Sequence, residues 1–266
     1  MIDKNRHIDI MGIVNLTDDS YFSESRCVGA DDALARVGRM LEEGATIIDI
    51  GACSTRPGAK QIGAQQEWER LQPVLKALRE AYPEARISID TYWSDVVLRA
   101  YELIGGFIVN DIPAGEDDPQ MLPVVGRLGL PYIAMHKRGT PETMQTLTDY
   151  DDVTGEVLDF FRRFALKAEQ NGIKDWTIDP GFGFAKTVEQ NYQVLRDLDK
   201  LKAFGRPVLV GVSRKSMIYR LLDIKPEDAL SATQVLHFKA LQKGADILRV
   251  HDVAEAVQVV KLYRIL

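Results

Sequence analysis

Short apolar runs alternate along this chain with longer segments of helical periodicity. The runs cover about 8–15, 46–51, 86–90, 106–111, 131–136, 175–179, 207–213 and 245–251, and they are continuously apolar rather than alternating. That pattern suits strands of a parallel sheet covered on both faces. Between them Leu34, Val37 and Leu41 fall three and four apart, as do Trp68, Leu71, Leu75 and Leu78, and Val153, Val157, Phe161, Ala165 and Ala168. These spacings predict helices near 32–44, 64–81, 94–104, 119–128, 151–171, 187–201, 227–243 and 253–264. Gly44, Gly172 and Gly244 stand where a helix ends and the next strand begins.

Eight β-α units in a row predict one (β/α)8 TIM barrel filling residues 1–266 as a single domain. A doubly wound open sheet is the rival, and the regularity of eight units favours closure. The length of 266 residues agrees with a barrel of roughly 250. A hydrophobic fraction of 45% and a charged fraction of 27% belong to an ordinary globular protein, and a net charge of −6 speaks against a nucleic-acid surface. Cys27 and Cys53 are too few for a disulfide framework and lack zinc spacing. With no signal-peptide pattern and no membrane-length apolar run, the expectation is a cytoplasmic chain without contact to membrane.

The strand ends carry the chemistry. They read Asn15; Gly51 followed by Ser54-Thr55-Arg56; Asp90; Asn110-Asp111; His136-Lys137; Asp179; Ser213-Arg214-Lys215; and Arg249 with His251-Asp252. In a closed barrel all such ends open on one face, so an active site is expected at the C-terminal mouth. Asp90 and Asp179 can each accept paired N–H groups from a flat heterocycle, Asn110 can donate or accept, and Lys215 donates. A single strand-end aspartate serves as well for a helix cap or buried ion pair; the set together points to a ligand. Arg56, Arg249 and His251 form a second, cationic group suited to phosphate oxygens. Asn15 offers one hard oxygen to Mg2+, which prefers few protein ligands, waters and substrate phosphates.

Other signals are less selective. Asp179-Pro-Gly-Phe-Gly-Phe-Ala-Lys-Thr lacks the spacing of a nucleotide-binding glycine loop. Phe182 and Phe184 fit either a core or the wall of an aromatic pocket. Ser216 should open a short helix over 216–222. The connections 16–31, 52–63 and 137–150 are long enough to be functional, and two of them are candidates for a lid. Cys53 has no histidine assigned to it and is not expected to be a nucleophile.

Taken together, Met11-Gly12-Ile13-Val14-Asn15, Thr17-Asp18-Asp19-Ser20, Asp49-Ile50-Gly51 and Ser54-Thr55-Arg56-Pro57-Gly58 resemble the dihydropteroate synthase family. So do Ser88-Ile89-Asp90-Thr91, Asn110-Asp111, Met135-His136, Gly139-Thr140-Pro141, Thr143-Met144-Gln145, Asp179 through Phe184, Ser213 through Ser216 and Arg249 through Asp252. The motifs follow in order over essentially the whole chain.

The resemblance implies a homodimeric TIM barrel of folate biosynthesis and a target of sulfonamides. It implies that p-aminobenzoate is joined to 6-hydroxymethyl-7,8-dihydropterin diphosphate with release of pyrophosphate. It carries Asp90, Asn110, Asp179 and Lys215 to the pterin, with Arg249 on its face. Asn15, Arg56, Arg249 and His251 go to the diphosphate, with Mg2+ on Asn15. Thr55, Pro57, Phe184 and Ser216 go to p-aminobenzoate, and Met135 and Gly183 to the substrate pocket. Departures from the family pattern are Asp18 for proline, Tyr21 for phenylalanine, Cys53 for glutamate and Ala185 for glycine. The alternatives are a pterin-binding methyltransferase domain that serves a corrinoid partner and a catalytically silent binding protein.

Overall fold

The computed structural model describes residues 6–16, 29–53, 62–140 and 143–266. Eight strands form one parallel sheet: β1 (Asp9–Asn15), β2 (Ile47–Gly51), β3 (Ile87–Asp90), β4 (Ile108–Asp111), β5 (Tyr132–Met135), β6 (Trp176–Asp179), β7 (Leu209–Val210) and β8 (Ile247–Val250). Each strand pairs with the next, β1 also pairs with β8, and a parallel bridge between Ile178 and Val208 joins β6 to β7. The sheet is thereby closed, as expected of a barrel rather than an open doubly wound sheet.

Helices return the chain between strands: α1 (Ala30–Glu43), α2 (Ala64–Ala81), α3 (Ser94–Ile104), α4 (Met121–Leu128), α5 (Val153–Gln170), α6 (Val188–Arg196), α7 (Ser216–Leu222), α8 (Leu230–Gln242) and α9 (Val253–Ile265). Two predicted helices are shorter than expected. The segment 187–201 divides into α6 and a 3-10 stretch over Leu198–Phe204, and 227–243 begins with a 3-10 turn at Pro226–Ala229. The predicted seventh strand is also cut, to two residues, because Arg214 turns the chain with a φ of 52° and Lys215 N–H donates to the Val212 carbonyl at 3.1 Å. No helix among the described residues is long and apolar enough to cross a membrane.

The register explains why the strands read as continuously apolar yet end in polar residues. Paired residues on adjacent parallel strands face the same side, so the ladder can be followed around the barrel. Asn15 pairs with Gly51, Gly51 with Asp90, Asp90 with Asn110, and Met135 with Asp179. The same inward columns carry Met11, Ile47, Ile108, Ile133, Leu209 and Ile247 nearer the N-terminal end, where they pack into a small separate apolar cluster. The outward columns, with Ile48, Ile50, Ile89, Val109, Ile178, Val208 and Val250, join the helices in the main core. The barrel interior is therefore an apolar floor under a polar layer.

Candidate active site

Asp49 is the centre of the polar layer. It sits mid-strand on an inward position of β2 and is fully buried. Its Oδ1 accepts from Ser88 Oγ at 2.6 Å, its Oδ2 from Arg249 Nε at 2.7 Å, and Asn110 Nδ2 donates to both oxygens at 3.3 and 3.2 Å. Arg249 also reaches Asp90 Oδ2 at 3.1 Å. A guanidinium between two carboxylates and an amide held by one of them make a preorganised unit of Asp49, Asp90, Asn110 and Arg249. One N–H of the Asn110 amide is held by Asp49, so its carbonyl oxygen and its second N–H are what it has to offer a ligand.

Gly51 makes room for this unit: a Cβ there would meet the Asp90 Cβ at 3.3 Å. Burial pushes the Asp90 carboxyl above the usual carboxylate range, with Arg249 opposing it and Asp49 and Glu67 adding to it. The guanidinium of Arg249 is disfavoured by burial, but the carboxylates of Asp49 and Asp90 more than restore it, and its pKa is raised.

The second half of the site comes from β6 and the turn before α7. Asp179 accepts from the Gly181 amide at 2.8 Å, and burial raises its pKa against the pull of Lys215, that amide, Arg249 and Lys186. Lys215 Nζ donates to the Phe182 carbonyl at 2.6 Å and lies 5.0 Å from the Phe184 ring centroid. Burial lowers the Lys215 ammonium to about 8, with Asp179 opposing the shift. Phe182 and Phe184 thus separate: Phe182 is fully buried in the main core, whereas Phe184 is half-buried beside Lys215. Ser216, half-buried, opens α7 directly after Lys215, as expected. Met135 is buried and shares the inward face with Asp179, and Gly183 donates its N–H to Asn191 Oδ1 at 2.7 Å.

His251 follows the end of β8, and its backbone N–H donates to Ser213 Oγ at 3.3 Å. Burial, and then Arg249, Arg36, Arg214 and Lys215, push its pKa down to about 3. The sequence reading grouped His251 with the cations; in this setting it is a neutral imidazole at pH 7. Arg214 is a structural residue, forking onto both oxygens of Asp252 at 2.9 Å and donating to the carbonyls of Pro226 and Glu227.

The expected roles of Thr55, Arg56 and Pro57, together with Thr17, Asp18, Asp19, Ser20, Tyr21 and Cys27, lie outside the described residues. Cys53, the last residue described before that second connection, donates its Sγ–H to Glu67 Oε2 at 2.9 Å. Burial and the Glu67 carboxyl push its thiol far above the ordinary range, so no thiolate is available for nucleophilic attack.

Ala185 keeps the conformation that the glycine it replaces would adopt, with a φ of 47° and its side chain fully buried. A left-handed alanine carries roughly 1–2 kcal/mol of steric cost. Ala185→Gly is therefore expected to raise stability by about 1 kcal/mol, the extra freedom of glycine in the unfolded chain offsetting part of the relief. Urea unfolding of the two proteins measures this; a loss of stability would show that the alanine methyl contributes more by packing than it costs in strain.

The sequence reading gave no role to Asp49 or Ser88, which the structure places in the site. For Asp49 a signal existed: an acid inside Ile-Ile-Asp-Ile-Gly, two residues before a strand-end glycine, must face inward with the strand ends and needs a buried cation. Among the described residues no group of three or more His, Cys, Asp or Glu is placed to hold a metal ion.

Comparison with known proteins agrees with this geometry. The model of the pterin binding enzyme family matches residues 11–251. A dihydropteroate synthase of Synechocystis is 41% identical over 265 residues, covering 98% of this chain and 91% of the relative. That of Escherichia coli is 40% identical over 258 residues, covering 96% and 90%. Among solved structures, a Yersinia pestis dihydropteroate synthase in a sulfonamide drug complex superposes with a TM-score of 0.93 at 37% identity, covering 99% of this chain and 95% of that one. A Xanthomonas albilineans dihydropteroate synthase with 4-aminobenzoic acid gives 0.88 at 37% identity, covering 98% and 93%. These matches do not favour the corrinoid methyltransferase alternative. An inward polar layer built on Asp49, with the motifs in order around it and full-length relatives of one kind, places the chain in the pterin-binding enzyme family, among its dihydropteroate synthases.

Proposed function

We infer that this chain condenses 6-hydroxymethyl-7,8-dihydropterin diphosphate with p-aminobenzoate to give 7,8-dihydropteroate and pyrophosphate. The observation that carries the reading is the pairing of two inward carboxylates, half-buried Asp90 and buried Asp179, with Arg249 and Lys215 at one barrel mouth. Asp90 and Asp179 as acceptors, and the Asn110 amide with its carbonyl oxygen and second N–H, suit the mixed donor and acceptor edge of a pterin. Lys215 adds a donor to that ring, and Arg249 stands between the ring and the leaving diphosphate. His251 as a neutral imidazole contributes one N–H to a phosphate oxygen, and Arg56 adds charge from the second connection.

The residues also suit Mg2+. Asn15 ends β1 with a hard side-chain oxygen, and a magnesium ion held chiefly by diphosphate and water needs little more from the protein. Bound there, the ion would neutralise charge on the leaving diphosphate.

As the carbon–oxygen bond to the diphosphate breaks, the pterin methylene becomes cationic. Asp90 and Asp179, as carboxylates beside Arg249 and Lys215, stabilise that charge electrostatically. The amine of p-aminobenzoate, mostly neutral at pH 7, then attacks, with Phe184 beside its ring and Ser216 toward its carboxylate. No general base is required for the attack itself; the protonated amine it forms then gives its proton to pyrophosphate or solvent. We further infer that the chain works as a homodimer in the cytoplasm and is a target of sulfonamides, as the sulfonamide complex of the Yersinia pestis relative supports.

The reading is tested by mixing the purified chain with the pterin diphosphate, p-aminobenzoate and Mg2+ and measuring pyrophosphate. Pyrophosphate should appear with the amine present; none, with pterin binding intact, would leave a silent binding protein.

A pH dependence follows from Lys215. With its ammonium at about 8, kcat/KM for the pterin substrate should fall as pH rises through about 8, since the free enzyme then loses a charged donor. The lysine's own contribution to stability moves the other way. Its folded pKa lies below the ordinary 10.5, so between about 8 and 10.5 the unfolded chain binds more protons and stability rises with pH. Lys215→Arg should move the alkaline limb beyond the measurable range; a limb unchanged in that variant would assign it to another group.

A further inference from the structure

His136 and Lys186 are both buried and have no part in the chemistry above. Lys186 Nζ, whose pKa burial lowers to about 7 against the pull of Asp179, has three acceptors around it: the Gly181 carbonyl at 2.9 Å, the Phe184 carbonyl at 3.2 Å and His136 Nδ1 at 3.0 Å. No donor is left over for a substrate. His136 must present the lone pair of Nδ1, and burial, with Lys186 and Arg138 nearby, pushes its pKa down to about 2, so it is neutral. The ring is also fixed by its neighbours, edge-on to Phe160 at 5.3 Å.

The loop these two residues hold is the one that carries the second half of the site. The backbone of His136 continues the β5–β6 ladder, its N–H donating to the Asp179 carbonyl at 2.9 Å. Gly181, with a φ of 71°, lies so close that a Cβ would come 1.9 Å from the His136 carbonyl oxygen. From there the loop turns, with Phe184 N–H donating to the Gly181 carbonyl at 3.2 Å. The strained Ala185 follows, and a capping box between Thr187 and Gln190 then starts α6. Within this turn the Phe182 carbonyl receives Lys215 and the Phe184 ring stands beside it. Lys186 thus joins Gly181 and Phe184 of the turn to His136 at the end of β5.

We propose that Lys186, seated on His136, is a positioning residue that sets the Phe184 ring where the aromatic amine needs it. The proposal rests on the synthase reading for its kinetic consequence, though not for the clamp itself. A compact ammonium can satisfy three convergent acceptors in a space that a planar guanidinium would overfill. A loop shifted by about 1 Å is enough to lower a rate by about a hundredfold, so the clamp has leverage without touching substrate.

The test compares the full chain with Lys186→Met, His136→Leu and His136→Asn. The last keeps a side-chain acceptor near the position of Nδ1. In Lys186→Met the KM for p-aminobenzoate should rise tenfold or more, while the dissociation constant of unreactive 6-hydroxymethylpterin stays within threefold. His136→Leu should move in the same direction, and His136→Asn should return to within threefold of the parent. An unchanged KM in folded Lys186→Met, or a KM and pterin affinity that worsen together, would overturn the positioning role. Should Lys186→Met fail to fold, equal KM values in the two His136 variants would overturn it instead. Hydrogen exchange of the ligand-free proteins reads the clamp independently: amides of 181–184 should exchange at least tenfold faster in Lys186→Met or His136→Leu. Equal exchange would sink the clamp. Faster exchange in variants of a parent that makes no pyrophosphate would uphold the clamp and refute only the synthase reading.

Discussion

Asp49→Asn is expected to lower kcat/KM by at least about a hundredfold and to destabilise the fold by about 3 kcal/mol. The carboxylate accepts from Ser88, from Asn110 twice and from Arg249. An asparagine of the same shape has one acceptor oxygen; whichever way its amide is turned, its NH2 faces a donor. Arg249 then retains Asp90 alone, and removing one partner of a buried ion pair typically costs 3–5 kcal/mol. The lower end applies because Asp90 still neutralises part of the charge. The catalytic loss follows from position: Asn110 and Arg249 both lose the group that orients them. Urea unfolding and steady-state kinetics on the same preparation check both parts. Turnover within threefold of the parent would show that Asp90 alone can hold Arg249 and that Asp49 is only a structural anion.

Asp90→Asn is expected to act through substrate rather than through the fold, with pterin affinity and turnover falling together and kcat/KM down by about a hundred- to a thousandfold. Removing one electrostatic stabiliser from a site of this kind costs about 10²–10³ in rate. Here the lost carboxylate also contacts Arg249 at 3.1 Å, so the guanidinium is freer to move toward the diphosphate. The stability loss should be smaller than for Asp49→Asn, because Asp49 keeps the shorter bond to Arg249. Titration with 6-hydroxymethylpterin alongside pyrophosphate release separates binding from turnover. Unchanged kinetics would remove Asp90 from the site.

The contrast between these two aspartates shows how far the chain could be read directly. Asp90 ends a strand, and its position alone places it on the mouth of a barrel. Asp49 lies two residues short of its strand end, where a linear reading sees only an interruption in an apolar run. Register makes the difference, since Asp49 pairs with Ser88 as Gly51 pairs with Asp90. The same holds for His136: its place at the end of β5 was legible, but its role depends on Lys186, fifty residues later. Asn110 reads as donor and acceptor alike, and only the fold shows that Asp49 takes one of its N–H groups.

The order of strands and helices, closure into a barrel, the family and the mouth residues Asp90, Asn110, Asp179, Lys215 and Arg249 all follow from the sequence by itself. They do so because hydrophobic periodicity and strand-end chemistry are local properties that repeat eight times. Only the tertiary structure decided which groups are already engaged: Arg249 between two carboxylates, His251 neutral, Lys186 saturated by three acceptors, Phe182 in the core and Phe184 beside Lys215. Hydrogen-bond partnership and burial set charge state and orientation, and both depend on residues as far apart as Asp49 and Arg249, brought together by the closing of the barrel.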